Sequence, residues 1–342
     1  MVTETRLTLL KRRIRRAFFF PAIWLRLWKN YAYDRRRFQS WSSVVGLIDE
    51  QAQLRAWINA DYHKIEKALS LRSPRPGFGS AVVARLLDNM EIYQARFGSD
   101  VVCGIAINVL RAYCGFNRSV GIDVRRFQLR IEDLASLETC ASLQEAGGGT
   151  MEMEREALLR RSRIDLSDFF ASRFSVRQFE PRPVPRVLLE KAVRMAQKTP
   201  SVCNRQSVKV YAFDEPGLRE EVLACQKGNA GFGQELQVVF VVTSDTRTFF
   251  SVGERNQCWI DGGLFSMSLV YALHSLGLGT ICLNWSAELD ADRELKRIAD
   301  IPDWDAIIML IGVGFLPKRF SVAQSPRKAL EEVLVWADRP GD

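Results

Sequence analysis

Apolar positions along the chain change their period near residue 165. Before it, hydrophobic residues recur at helical spacing over Val44–Ile58 and Ala81–Tyr93, with a turn-forming Pro74-Arg75-Pro76-Gly77-Phe78-Gly79 loop between them. Residues 41–146 therefore read as a helical N-terminal domain. The run Gly147-Gly148-Gly149-Thr150 breaks any helix and predicts a linker, and the charged stretch Met151–Arg163 predicts a lead-in helix, so 147–164 joins two bodies. From Asp165 helices and strands alternate. Pro183 or Pro185 opens a helix through Lys198, with Leu188, Leu189, Ala192, Val193 and Ala196 on one stripe. Strand-like runs follow at Ser207–Phe213, Val238–Thr243, Thr280–Leu283 and Ile307–Val313. A long helix spans Gln257–Ser275 and stops at Gly277, and shorter helices centre near 220 and 295. Residues 165–342 thus predict an α+β or α/β domain, helices covering a central sheet.

The first forty residues stand apart as a basic aromatic arm. Phe18, Phe19, Phe20, Ile23, Trp24, Leu27, Trp28 and Tyr31 recur at helical spacing between arginines. The chain of 342 residues carries a net charge of +8, yet residues 1–40 hold eleven Lys and Arg against Glu4 and Asp34, a balance of +9 that leaves −1 for the rest. The basic character therefore belongs to the arm, and the body has no general affinity for polyanions to explain. A basic helix with an aromatic face suits an anionic membrane surface. The other reading packs the aromatics on the protein body and leaves the arginines in water. Nucleic acid is not expected, because no binding fold accompanies the charge.

Cysteine usage excludes several classes. Cys103, Cys114, Cys140, Cys203, Cys225, Cys258 and Cys282 are odd in number and form no C-x-x-C pair, so neither a disulfide framework nor a zinc or iron–sulfur site is expected. With His63 and His274 alone, a histidine metal site is not expected either. Reduced thiols in the cytoplasm are the simplest reading. No apolar run reaches the roughly 20 residues of a membrane-spanning helix, and Trp24, Leu27 and Trp28 stand where a secretion signal needs small residues.

Three clusters carry candidate chemistry. Ser172-Arg173-Phe174-Ser175-Val176-Arg177 places two guanidiniums and hydroxyls close together; arginine forks match phosphate oxygens in pairs, though a solvated basic turn has the same composition. Thr199-Pro200-Ser201-Val202-Cys203-Asn204-Arg205-Gln206 sits between a helix and a strand. Its Asn204 and Gln206 amides can read the edge of a planar heterocycle or simply shape an αβ loop. After the last strand, Gly314-Phe315, Pro317-Lys318-Arg319 and Ser325-Pro326-Arg327-Lys328 form a basic tail that either returns to a phosphate or stays in solvent.

In this order and spacing the three clusters resemble the nitroreductase family of flavoproteins: an R-x-S-x-R-like element, then P-S-x-x-N-x-Q, then a basic motif after a terminal strand. The resemblance spans about 160 residues, Asp168–Arg327. It implies an α+β fold, a nitroreductase-like three-layer α-β-α sandwich, here with a helical N-terminal domain. It also implies a homodimer with FMN at the subunit interface. On the matching positions, Arg173, Phe174, Ser175 and Arg177 would hold the FMN phosphate and pyrimidine side, with Arg177 near N1 and the C2 carbonyl. Ser201 and Asn204 would reach FMN bound mainly by the other subunit, and Pro200 and Gln206 of the same loop would also bind the cofactor. Asn229, in Lys227-Gly228-Asn229, would meet the pyrimidine, the backbone of Asn284 and Trp285 would lie near flavin N5, and Arg327 with Ser325 would close on the phosphate. Two departures bear on this: the N5 loop reads Leu283-Asn284-Trp285-Ser286, in which Trp285 can stack on or narrow the substrate face, and Val208 replaces a tryptophan often found after Asn-x-Gln.

More narrowly, His63-Lys64-Ile65-Glu66-Lys67-Ala68-Leu69, the Arg75–Gly79 loop and Cys203-Asn204-Arg205-Gln206 are similar to longer nitroreductase-like proteins encoded beside bacterial polysaccharide biosynthesis. His63 and Glu66, at i and i+3, share a helix face; they can act as acid and base, or more commonly as an ion pair or a cap to the following loop. His274 reads as a core-edge residue. The expected activity is FMN-dependent oxidoreduction, with NAD(P)H as transient donor and a second substrate accepting electrons. The absence of G-x-G-x-x-G agrees, since a visiting nicotinamide needs no Rossmann site. The alternative is a membrane-surface scaffold or regulatory flavoprotein of a glycan-synthesis assembly, without turnover. Location is expected to be cytoplasmic, peripheral at the inner face of the membrane if the arm binds lipid.

Overall fold

The computed structural model describes residues 6–46, 48, 50–137, 145–162 and 164–337. Side chains of Phe18, Phe19 and Phe20, and of the basic residues from Arg6 to Arg16, lie outside what is described, as does Cys140. Helix α1 (Arg6–Trp41) contains the arm. Helices α2 (Gln51–Leu69), α3 (Ser80–Phe97), α4 (Val101–Ser119) and α5 (Arg125–Ala135) follow and enclose a core of their own around Ile58, Leu86, Met90, Ile107, Leu110, Tyr113 and Ile131. The helix predicted from Val44 begins later. Residues Ser43–Val45 form a single 3-10 turn that Gly46 ends in the left-handed region (φ 80°), and Ser43 N–H is spent on Phe249 O at 3.0 Å. Helix α2 starts only at Gln51, where the Gln53 side chain accepts from Glu50 N–H at 3.1 Å and satisfies a first-turn donor.

The glycine run expected to be a tether is laid against the helical body instead. Gly147, Gly148 and Gly149 have φ of 70°, 100° and 90°. Asn108 Nδ2 donates to Gly147 O at 2.7 Å, Gly149 N–H donates to Glu66 Oε1 at 3.1 Å, and a Cβ at Gly148 would sit 2.7 Å from Ile105 O. Glycine is required there for close backbone approach as well as for turning. The lead-in helix α6 (Arg155–Ser162) starts four residues later than expected, and the short α7 (Ser167–Ala171) follows it.

The remaining strands, β1 (Val208–Phe213), β2 (Val238–Asp245), β3 (Leu278–Asn284) and β4 (Asp305–Phe315), form one sheet of order β1-β2-β4-β3, every pair antiparallel. Antiparallel pairing decides for α+β over α/β. Helices α8 (Arg186–Ala196) and α10 (Gln257–Ser275) cover one face, over Val238, Phe240, Val242, Ile311 and Val313. Helices α9 (Pro216–Ala224) and α11 (Leu289–Ile298) lie on the other, where Val239, Val241, Ile281, Leu283 and Leu310 point. The result is three layers, α-β-α. Strand β2 is buried on both faces, which is why its Val-Val-Phe-Val-Val run shows no polar alternation. Within α8, Pro185 is the residue that opens the helix.

The two bodies meet along α2 and the β2–α10 loops. Trp57 stacks on Phe250 (centroids 4.2 Å apart), Trp41 meets Trp304 edge-on at 5.1 Å, and Arg247 Nη1 lies 2.7 Å from Glu50. Among the described residues, no helix is long and apolar enough to cross a membrane.

Candidate functional site

The Arg173–Arg177 segment runs beside the edge strand β3. Ser175 makes a parallel bridge to Thr280, and Val176 N–H donates to Thr280 O at 2.9 Å. Strand β3 has β4 on one side only, so its free edge is available to hold this extended segment in register. Ser175 is half-buried, Phe174 and Arg177 are more exposed, and Arg177 stands over the Phe232 ring at 5.9 Å. Phe232 belongs to the loop after α9, and that loop reaches the end of β3: Gln226 Nε2 donates to Asn284 O at 3.1 Å. Gln226, Lys227, Gly228, Asn284, Trp285 and Ser286 share a hollow of about 540 Å³. Three chain segments far apart in sequence, 173–177, 226–232 and 284–286, are thereby fastened around β3.

Two side chains in this group are committed locally. Asn229 Nδ2 donates to Leu223 O at 2.7 Å and to Gln226 O, so its amide nitrogen shapes its own loop and Oδ1 is the end that remains. Trp285 Nε1 donates to Asp292 Oδ1 at 2.9 Å, which pins the indole toward α11. The sequence reading has Trp285 narrowing a substrate face; the structure gives its indole to Asp292. That carboxylate also accepts from Tyr33 of α1 at 2.8 Å and lies 3.6 Å from Arg37, and burial beside it pushes the Tyr33 phenol up. The arm thus closes over the outer wall of the candidate site, in a cleft of about 500 Å³ shared by Arg26, Asn30, Tyr33, Trp259, Trp285 and Asp292.

The second cluster lies elsewhere, at the start of α10. Cys203, Asn204 and Gln206 all adopt left-handed backbone (φ 49°, 51° and 50°), a conformation that costs non-glycine residues about 1 kcal/mol or more each. Ser201 Oγ accepts from Gln206 N–H at 2.9 Å, and Asp261 of α10 accepts from Val202 N–H at 3.2 Å and from Gln257 at 2.8 Å. Pro200, Ser201 and Gln206 border a small recess of about 150 Å³ with Asp261 and Phe265. The sequence reading missed Asp261. Its signal was a single carboxylate inside an otherwise apolar helix, next to Gly262 and Gly263. Arg205 is wholly buried: it pairs with Glu254 at 2.5 Å, donates to Thr248 O at 2.9 Å and lies over the Phe250 ring at 4.3 Å.

The third cluster leaves β4 beside the first, where Ser321 N–H donates to Gln178 Oε1 at 3.4 Å. Ser325 and Arg327 are on an exposed extended tail, where the Arg327 guanidinium donates to the Ser325 carbonyl and Ser325 has φ 48°. The fold therefore gathers Arg173, Phe174, Ser175, Arg177, Asn229, Asn284 and Trp285 around β3, and Pro200, Ser201, Asn204 and Gln206 around α10. His63 Nδ1 is 3.3 Å from Glu66, whose carboxylate also caps Gly149, so this pair is a structural link to the glycine loop. His274 is half-buried against Phe169, 2.9 Å from Ser172 Oγ, and burial lowers its pKa.

Comparison with known proteins falls on this half of the chain. Residues 170–224 match the model of the nitroreductase family, spanning the Arg173–Arg177 element and the Pro200–Gln206 loop. The match lies wholly within the sheet-bearing body and does not extend to the helical one. A protein of Thermus thermophilus named NADH dehydrogenase is 23% identical over 204 residues, 51% of this chain and 96% of its own. Similar solved structures include an FMN-dependent nitroreductase of Clostridium difficile (18% identity, 50% of this chain and 98% of that one, TM-score 0.43). A Desulfovibrio desulfuricans protein described as a nitroreductase in complex with FMN is another (17% identity, 52% and 99%, TM-score 0.44).

Proposed function

We propose that this chain is an FMN-dependent oxidoreductase that uses NAD(P)H as electron donor and works as a homodimer. One observation carries the reading: the arginine- and serine-bearing segment 173–177 is registered against β3, whose far end meets the Gln226–Asn229 loop around a hollow of flavin-compatible size. The donor set fits FMN. Arg173, Ser175 and Arg177 offer cationic and hydroxyl donors to a phosphate and the pyrimidine edge, with Phe174 beside them. Asn229 Oδ1 can accept from the ring N–H, and the Asn284–Trp285 backbone borders the same hollow. Bound there, FMN supplies two-electron redox chemistry between the nicotinamide and a second substrate. The protein residues orient the ring, and positive charge at Arg177 favours the anionic reduced form.

Dimerisation would bring the separated clusters together. Helix α10 leaves Trp259, Ile260 and Leu264 exposed beside the Pro200–Gln206 loop, and burial of that face against a second copy would deliver Ser201 and Asn204 to the partner's flavin. The tail bearing Ser325 and Arg327 is free in one protomer to close on a phosphate. The names of the Thermus and Clostridium relatives agree with a nicotinamide donor and FMN.

A second reading, lipid-surface attachment in a glycan-assembly setting, is favoured by Trp24, Trp28 and Tyr31, which are 59, 56 and 72% exposed on one face of α1. The test of the main reading is the absorption spectrum of purified protein: flavin bands bleached by NADH or NADPH are expected, with FMN retention reduced by Arg173→Ala and by Arg327→Ala. A colourless protein that takes up no added FMN in a titration overturns it. For the second reading, sedimentation with anionic vesicles is expected to require residues 1–40.

A further inference from the structure

The seam between the two bodies encloses a cavity of about 510 Å³ that the flavin reading does not use. One wall is a continuous face of α2: Gln51, Arg55, Asn59 and Tyr62 recur at i, i+4, i+8 and i+11. The facing wall comes from Gln206, Lys209, Asp245 and Thr248. Polar groups on the buried side of a domain-packing helix are costly unless each is partnered. Asn59 is 7% exposed, and its Oδ1 accepts no hydrogen bond from the described residues.

The cations around this cavity divide into spent and available. Arg205 is saturated by Glu254 and Thr248 O, and Arg247 by Asp245 and Glu50. Arg55 has only a 3.9 Å approach to Asp100, a carboxylate that already accepts from Tyr93 at 2.6 Å, and its side chain is 44% exposed. Lys209 is equally exposed and shares Asp245 and Asp305 at 3.5 and 3.4 Å. The cavity therefore offers a positive charge from Arg55, with Lys209 across from it, beside the Asn59 acceptor that calls for a donor.

We propose that this interdomain cavity binds a small anion that also carries hydroxyl donors, a sugar acid or a sugar phosphate. Arg55 takes the anionic group and the Asn59 carboxamide takes a hydroxyl. Because the ligand touches both bodies, binding fastens them together, and because Gln206 lines this cavity and the Ser201 recess alike, the occupied site buttresses that loop. The site does not depend on the FMN assignment.

Calorimetric titration and thermal melting of the full chain test it, with glucuronate, glucose 1-phosphate, inorganic phosphate and glucose as probes. A hydroxylated anion is expected to raise the melting temperature and to bind at least ~10-fold more tightly than glucose or inorganic phosphate, a tenfold step in Kd being a modest requirement for one charge-assisted contact. Arg55→Gln and Asn59→Leu are each expected to weaken that binding by ~10-fold or more. The ligand-free Asn59→Leu protein is expected to melt no lower than wild type, since it loses an unmet buried acceptor. Failure of all four probes to bind, equal affinity for inorganic phosphate and the sugar anions, or unchanged binding in both variants overturns the proposal.

Discussion

Arg205 shows how much one side chain decides. Its guanidinium is closed off from solvent by Phe249 and Phe250 and answered by Glu254, Thr248 O and Val202 O, so it holds the strained Cys203–Gln206 turn on the α10 side. Removing one partner of such a pair leaves an uncompensated buried charge, and Arg205→Ala is expected to cost about 3–5 kcal/mol in urea unfolding. Arg205→Lys, which keeps the charge and loses the fork, should fall between. Asp305 is the opposite case. It is fully buried, accepts from Tyr211 at 2.8 Å and Thr243 at 3.2 Å, and burial raises its pKa. A raised folded-state value means that its contribution to stability is present below the unfolded value near pH 4 and is lost as pH rises through the folded one. Wild type is therefore expected to lose stability relative to Asp305→Asn as pH rises above about 4, as read by denaturant midpoints; a difference that moves the other way contradicts the assignment.

At the scale of elements, the docking of α1 and of the glycine run are open to direct measurement. Asn30 Oδ1 accepts from Leu289 N–H at 2.7 Å, so a residue of α1 caps the first turn of α11. Asn30→Ala should cost about 1 kcal/mol, the ordinary worth of a cap. In the glycine run, Gly147 and Gly148 both have positive φ, but only a Cβ at Gly148 would collide with the backbone of α4. Gly147→Ala is expected to lose about 1 kcal/mol to backbone strain, and Gly148→Ala about 1–3 kcal/mol beyond that. Equal melting temperatures for the two variants would mean that the run is not docked on α4.

For the whole molecule, the seam between the two bodies sets cooperativity. It combines the Trp57–Phe250 stack, the Trp41–Trp304 contact and the Arg247–Glu50 pair with the polar cavity. Wild type is expected to melt in one calorimetric transition. Trp57→Ala, which removes a large stacked surface, should split it into two, because the helical body and the sheet body each have a core of their own. Light scattering at a dimer's mass, reduced by Ile260→Glu on the exposed face of α10, is the corresponding check on assembly.

The linear pattern was enough for the helix Gln257–Ser275, for the positions of the four described strands to within a few residues and for the family resemblance that the match over residues 170–224 bears out, because period, caps and motif order are local properties. It also placed Arg173, Ser175, Ser201 and Asn204 outside the regular helices and strands, in turns and extended segments. What only the tertiary structure decided were relations between distant segments. Strand order, the pinning of Trp285 by Asp292, the part played by Asp261, the docking of the glycine run and the polar seam behind Arg205 all depend on which surfaces meet. No periodicity records such meetings, since burial and hydrogen-bond partnership are fixed only when the layers close. The amphipathic pattern says which face of a helix is apolar; the packed chain says what that face, and the polar one beside it, comes to touch.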